Sequence, residues 1–204
     1  MLNIKLLMMT DKAKKEIFLE LLEPEWRQLS GYARALTGNT EDARDLVSDT
    51  LLSAFENFDK LKNYDAFKSY IFTIARRKFK RNKWRMRIFT GYDEANVFDF
   101  ESKDSQPDVR ADVNILFAAM QQLPDKQREA IALFEISGLS LQEIQKVQGG
   151  TLSGVKTRLR RARQTLAEIL GEKEASRHPR HNGGSKKNVI SNIDIKSKAQ
   201  INLK

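Results

Sequence analysis

The 204-residue chain is predicted to be all-α: two small helical domains joined by a flexible acidic linker, the second a four-helix domain containing a helix-turn-helix. Three observations predict this. Apolar residues recur at spacings of three and four through most of the chain; proline and glycine fall where such helices must begin and end; and the one faint strand candidate, Val189 to Ile195, has no second strand to pair with. A hydrophobic fraction of 40% is enough to bury a core in one or two small domains. The absence of cysteine excludes a disulfide framework and thiolate metal sites, and no apolar run approaches the roughly 18 residues that span a bilayer. A cytoplasmic protein without membrane insertion is expected.

The elements follow in order. An opening helix ends near Leu22, before Pro24, and a second runs from about Glu25 to Thr37, stopped by Gly38. Asn39, with Asp42 three residues on, caps a third helix whose Leu46, Val47, Thr50, Leu51, Ala54, Phe55 and Phe58 form one buried face. A fourth carries Phe67, Ile71, Ile74, Ala75 and Phe79 inward. The first domain therefore spans 1–90, and polar sequence with little periodicity makes 91–112 the linker. In the second domain, 113–171, Pro124 sits in a favoured first-turn position, and the helix it opens is stopped by Gly138. Ser140 and Glu143 form a capping box over a short helix with Ile144 and Val147 inward. Gly149 and Gly150 turn the chain into a last helix repeating Leu152, Val155, Leu159, Ala162, Leu166 and Ile169. The tail, 172–204, is basic and reads as disordered.

Charge is segregated along this order. The formal net charge of +9 divides into +5 after Gly171 and only +4 before it. Within the body, Glu41 to Asp59 holds six acids and one base, Arg76 to Arg87 eight bases and no acid, and Lys156 to Arg163 five bases and no acid. Residues 88–112 carry a net charge of −5. Such blocks suit separate surfaces for separate partners, although any single run also fits a solvated face.

Three surfaces result. Asp42, Asp45, Asp49 and Glu56 share one stripe of the third helix, which fits docking of a basic partner, a solvated face, or a carboxylate metal site. On the fourth helix, Tyr70, Arg77, Lys80, Arg81 and Trp84 lie away from the core. Cations interleaved with aromatic rings suit single-stranded nucleic acid, because the cations neutralise phosphates while unstacked bases lie on the rings. The alternative leaves Tyr70 in the core and Trp84 covering a helix end. The capped short helix, glycine turn and basic amphipathic helix describe a helix-turn-helix, whose second helix enters the DNA major groove, against an ordinary basic helical hairpin.

The run Tyr32 to Asn39, the run Asp42 to Thr50, and Phe72-Thr73-Ile74-Ala75-Arg76 resemble the core-binding and promoter-melting region of the extracytoplasmic-function (ECF) sigma factors of bacterial RNA polymerase. Leu123-Pro124 through Arg128, Gly138-Leu139-Ser140, Glu143-Ile144, Val155 to Leu159 and Arg161-Ala162-Arg163 resemble the second domain of that family. The similarity covers roughly residues 15 to 170. It implies that Asp42, Asp45, Leu46 and Asp49 dock on the clamp helices of the polymerase largest subunit. It assigns Tyr70, Arg76, Arg77, Lys80, Arg81 and Trp84 to the opened minus-ten strand. Ser153, Lys156, Thr157, Arg160 and Arg161 would read the minus-thirty-five duplex. The family needs no cofactor or metal and has no catalytic residues of its own; its partners are core polymerase and promoter DNA, with an anti-sigma factor as a further candidate. A stand-alone helix-turn-helix regulator, or a metal-dependent nuclease using Asp42, Asp45 and Asp49, are the competing readings.

The chain departs from the family pattern at particular positions. Arg77 and Arg81 stand where Asn and Asp are usual, Gln145 where a small alanine packs, Gln148 and Gly150 where apolar residues are usual, and Ser153-Gly154 where Gly-Thr is usual. An interior glycine such as Gly154 costs about 1 kcal/mol relative to alanine.

Overall fold

The computed structural model describes residues 11–90 and 107–177, so residues 91–106 of the expected linker, the tail from 178 and the strand candidate Val189 to Ile195 lie outside the described residues. The first lobe opens with α1 (Asp11–Leu22), which passes through a 3-10 turn at Glu23–Glu25 into α2 (Trp26–Thr37). Pro24 occupies an early position of that turn, where its missing N–H is not needed, so the chain bends without a gap. Gly38 ends α2 at φ +82°, its N–H donating to Arg34 O. A Cβ there would stand 3.0 Å from the Gln121 side chain, which would have to give way, while the left-handed backbone itself favours glycine. Asn39 then caps α3 (Thr40–Glu56), its Oδ1 accepting from Asp42 N at 2.8 Å. Two 3-10 turns lead to α4 (Phe67–Thr90).

The second lobe is α5 (Pro107–Gln121), α6 (Asp125–Ile131), α7 (Leu141–Gln148) and α8 (Leu152–Arg177). α5 starts six residues before the expected Val113, because Pro107 has the φ a first helical residue needs. Pro124 precedes α6 as its N-cap rather than sitting inside its first turn. α6 widens into a π turn, Ala132–Ile136, in which Ser137 N reaches back five residues to Ala132 O. α8 continues six residues past Gly171, where helix was expected to stop; that glycine faces open space. Among the described residues there is no strand, and no helix long and apolar enough to cross a membrane.

Phe18 organises the far end of the first lobe. Its ring meets Phe55 and Phe58 at 5.3 Å and Phe67 at 5.5 Å, all edge to face, joining α1, α3 and α4. Each such pair adds about 0.5–1.5 kcal/mol beyond its buried area. Nearer the centre, Tyr32 and Phe72 pair at 5.3 Å. The buried cluster does not stop at the lobe boundary but runs from Phe18 to Leu166. α2 lies on α5 and the π turn, while α4 lies on α7. Polar contacts register the seam: Gln121 Nε2 donates to Ala35 O at 2.8 Å, and Arg34 donates to Asn114 Oδ1 at 3.3 Å with its guanidinium over the Phe117 ring.

Gly38→Ala should destabilise the chain by about 1–2 kcal/mol through its left-handed backbone alone. Phe18→Ala should cost about 3–5 kcal/mol by opening a cavity among three rings. Urea midpoints followed by circular dichroism would check both; equal midpoints for the two variants would contradict this ranking.

Candidate polymerase and nucleic-acid interfaces

On α3 the buried Ala43, Leu46, Val47, Thr50 and Ala54 face the core, which turns Asp42, Asp45, Asp49 and Glu56 outward. Asp42, Asp45 and Glu56 are exposed and Asp49 is partly so. Leu46 is only 3% exposed, so it supports the stripe from beneath and does not itself face a partner. Leu52 instead reaches solvent: it is 59% exposed and continues the stripe at the same three-and-four spacing from Asp45 and Asp49. Sequence reasoning passed over Leu52, although that spacing separated it from its core-facing neighbour Leu51. An acidic ridge with one protruding leucine suits a basic helical partner with an apolar notch. No group of three or more His, Asp or Glu side chains among the described residues could hold a metal ion.

α4 carries two cationic stripes. Arg77, Arg81 and Trp84 are exposed along one, with Trp84 at 62%, and Ile88 prolongs it with more than half its surface in solvent. Arg76, Lys80 and Lys83 form the other, turned toward the second lobe. Arg76 Nε donates to Glu129 Oε2 at 2.9 Å and its Nη2 to Gln148 O at 3.3 Å, while Lys80 Nζ lies 3.8 Å from Glu129 Oε1. Lys83 Nζ donates to both oxygens of Asp125, at 2.9 and 3.0 Å. Glu129 is 1% exposed, and removing one member of such a buried pair typically costs about 3–5 kcal/mol. Close to this pair, the buried Tyr32 hydroxyl has no hydrogen-bond partner. Burial pushes its phenol well above the ordinary range, the Glu129 carboxylate adds to the effect and Arg76 opposes it.

Tyr70 does not stand on the free face where the helical period put it. Its hydroxyl donates to Ala54 O at 2.8 Å and its ring lies 6.3 Å from Phe67, so it braces α4 against α3. Burial and then Asp59 raise its pKa. Helical periodicity assigns a face, but α3 covers that face along the first turns of α4 and leaves it open beyond Arg77.

The helix-turn-helix is built from α7, the Gly149-Gly150 turn and α8. Ser140 Oγ accepts from Glu143 N at 3.3 Å, and Glu143 Oε2 accepts from Ser140 N at 2.8 Å. Burial raises the Glu143 pKa, but hydrogen bonds from Ser140 and Ser69, with Lys68 nearby, outweigh it and leave the group lowered. Both unusual glutamines find work in the turn region. Gln145 Nε2 donates to Gly150 O at 3.0 Å, and Gln148 Nε2 donates to Lys126 O and Glu129 Oε2, both at 3.2 Å. Gly150 sits at φ +88°, a conformation that an apolar side chain would strain. Thr151 Oγ1 accepts from Gly154 N at 3.1 Å and so caps α8.

Ser153, Lys156, Arg160 and Arg161 of α8 are exposed and Thr157 is half-buried. Thr157 and Arg161 line one wall of an open groove of about 440 Å³, with Pro124, Lys126 and Gln127 opposite. Two other cations of the run are used inside the lobe. Arg163 pairs with Glu135 at 2.6 Å over the Phe134 ring, and Arg158 donates to Gly149 O at 3.3 Å.

Two family models match: Sigma-70 region 2 over residues 21–87, and Sigma-70, region 4 over residues 114–166. The chain is 33% identical over 144 residues to the ECF RNA polymerase sigma factor EcfG of Rhodopseudomonas palustris, covering 70% of this chain and 78% of the relative. It is 29% identical over 170 residues to the ECF RNA polymerase sigma factor SigE of Mycolicibacterium smegmatis, covering 79% of this chain and 65% of that one. Among solved structures it is similar to the sigma factor RpoE from Bartonella quintana, in complex with the anti-sigma factor NepR, with a TM-score of 0.64 and 29% identity over 77% of this chain and 96% of that one. With a region 2 lobe and a region 4 lobe in that order, and a third of the 144 aligned positions identical across 78% of such a relative, the chain belongs to the ECF sigma factors of bacterial RNA polymerase.

Proposed function

We propose that this sigma factor divides its work among three helices. The α3 stripe of Asp42, Asp45, Asp49 and Leu52 docks on the clamp helices of the polymerase largest subunit, with Leu46 shaping it from below. The outer stripe of α4, Arg77, Arg81 and Trp84, holds the opened minus-ten strand: the guanidinium groups neutralise phosphates and the indole stacks on an unpaired base. Arg76 and Lys80 join it once their carboxylate partners are removed, while Tyr70 acts by bracing the helix. Ser153, Lys156, Thr157, Arg160 and Arg161 of α8 enter the minus-thirty-five major groove. The polymerase performs the chemistry and the chain contributes no catalytic group, working in the cytoplasm on core enzyme and DNA. The observation that carries this reading is the separation of one acidic ridge and two exposed cationic faces onto three helices, each backed by its own buried side. A protein of the kind bound to the Bartonella relative is a further partner we assign to it.

Run-off transcription with purified core polymerase tests the reading as a whole: added chain should direct initiation from a selected promoter and co-elute with core, and failure of both overturns it. Asp45→Lys with Asp49→Lys should weaken core binding by about 2 kcal/mol or more, roughly thirtyfold in Kd. Fluorescence anisotropy with labelled core would show this, and an unchanged affinity would remove the docking assignment. Trp84→Ala should lose about 1–3 kcal/mol of strand capture. Permanganate reactivity of promoter thymines would fall while duplex binding holds; equal reactivity would make Trp84 structural.

A further inference from the structure

Beside the Gly149-Gly150 turn lies a cavity of about 150 Å³. Three cations line it, Arg76 from α4, Lys126 from α6 and Arg158 from α8, against one carboxylate, Glu129, with Gln148 completing the wall. We propose that this cavity is a binding site for a protonated tetrahedral oxyanion: hydrogen phosphate, either free or as the end group of a small phosphorylated molecule. The site adds a small-molecule ligand to the lobe that reads duplex DNA and is independent of the promoter contacts assigned above.

The wall carries polar groups of both kinds that the protein leaves unmatched. Glu129 takes up Arg76, but among the described residues no carboxylate pairs with Lys126 or Arg158. Arg158 Nη2 donates to Gly149 O at 3.3 Å, whereas its Nε is buried with no acceptor. Glycine at 150 keeps this guanidinium uncovered, since a Cβ there would come within 3.9 Å of Arg158 Nη1. Gln148 supplies the opposite need. Its Nε2 donates to Lys126 O and Glu129 Oε2, both at 3.2 Å, which fixes the amide and leaves Oε1 buried with no donor. A buried donor and a buried acceptor left unpaired each cost the desolvation of that group, so a ligand that satisfies both recovers it.

This pairing selects among anions. An anion without a proton, such as sulfate or the phosphodiester of DNA, would satisfy the cations and Arg158 Nε but would set lone pairs against Gln148 Oε1 and Glu129. Hydrogen phosphate keeps a P–OH at neutral pH, so it can accept from Arg158 and Lys126 and donate to Gln148 Oε1 in one pose. At a water's share of roughly 30 Å³, the cavity has room for about five waters, which is the space a phosphorus and its four oxygens need. A larger substituent has somewhere to go, because Lys126 and Arg158 also line the adjoining open groove of about 440 Å³.

Isothermal titration calorimetry on the full-length chain, near neutral pH and at constant ionic strength, tests the site with inorganic phosphate, sulfate and adenosine monophosphate. Phosphate should bind saturably and about tenfold or more tighter than sulfate, which has the same shape and lacks the proton. Lys126→Gln, at an exposed position, should weaken phosphate by about fivefold. Gln148→Met, which removes the acceptor, should bring the two anions within about twofold of each other. Urea midpoints check that this variant folds; if it does not, the parent ratio and Lys126→Gln decide. Adenosine monophosphate binding more weakly than phosphate identifies the free anion as the ligand, and equal or tighter binding identifies a phosphorylated small molecule with its rings in the groove. Equal affinity for phosphate and sulfate in the parent, no saturable binding, or phosphate affinity unmoved by Lys126→Gln would each overturn the site. Run-off transcription is read separately: a chain that initiates but binds no phosphate sinks this site alone, and one that binds phosphate but does not initiate sinks the functional reading alone.

Discussion

A carboxylate removed from water must be met by cations and donors, and Glu129 is the place where this chain meets that requirement across two lobes. Its oxygens take Arg76 and Gln148 with Lys80 nearby, which brings together α4, α6 and the end of α7. Once these are set, much of the seam follows. α7 must lie on α4, the Gly149-Gly150 turn must stand beside Arg76, and α2 must cover α5 and the π turn. The apolar cluster supplies the bulk of the adhesion but has little angular preference. The ion pairs and the Gln121 to Ala35 bond choose the register.

Local chemistry was readable from the sequence. The left-handed stop at Gly38, the Asn39 cap, the Ser140 and Glu143 box and the glycine turn all appear as read, because each depends on residues within a few positions of one another. The long-range facts were not readable. Nothing within a few residues of Arg76 indicates that a glutamate 53 positions later will claim it. The same limit explains Tyr70, whose helical face was correctly assigned but is covered by α3, and the two lobes, read as joined only by a linker yet packed on one cluster. Leu52 was missed for a different reason. A leucine beside core leucines reads as core, and only its register with the acidic stripe identifies it as outward.

The departures from the family pattern are compensated in place. Gln145 and Gln148 replace residues that would pack by shape alone, and each instead donates within the second lobe, Gln145 across the turn and Gln148 to α6. Gly154 loses helix propensity at the start of α8, but its N–H completes the Thr151 cap, and an added Cβ would stand 3.2 Å from the threonine oxygen. Polar substitutions in a packed motif are tolerated when a backbone carbonyl or carboxylate is within reach, and here both glutamines have one.

The eight cations between Arg76 and Arg87 raise the question of why α4 forms at all. Like charges four residues apart, as in Arg76 and Lys80 or Arg77 and Arg81, each oppose the helix by about 0.2–0.5 kcal/mol. Two effects offset them. The run occupies the C-terminal half of α4, where the helix dipole favours positive charge, and the inner stripe is neutralised by Asp125 and Glu129. Among the described residues no carboxylate pairs with Arg77 or Arg81 of the outer stripe. On the proposed reading, phosphates would relieve this repulsion, so that part of the free energy of holding DNA would be strain already present in a helix with more cations than the described residues neutralise.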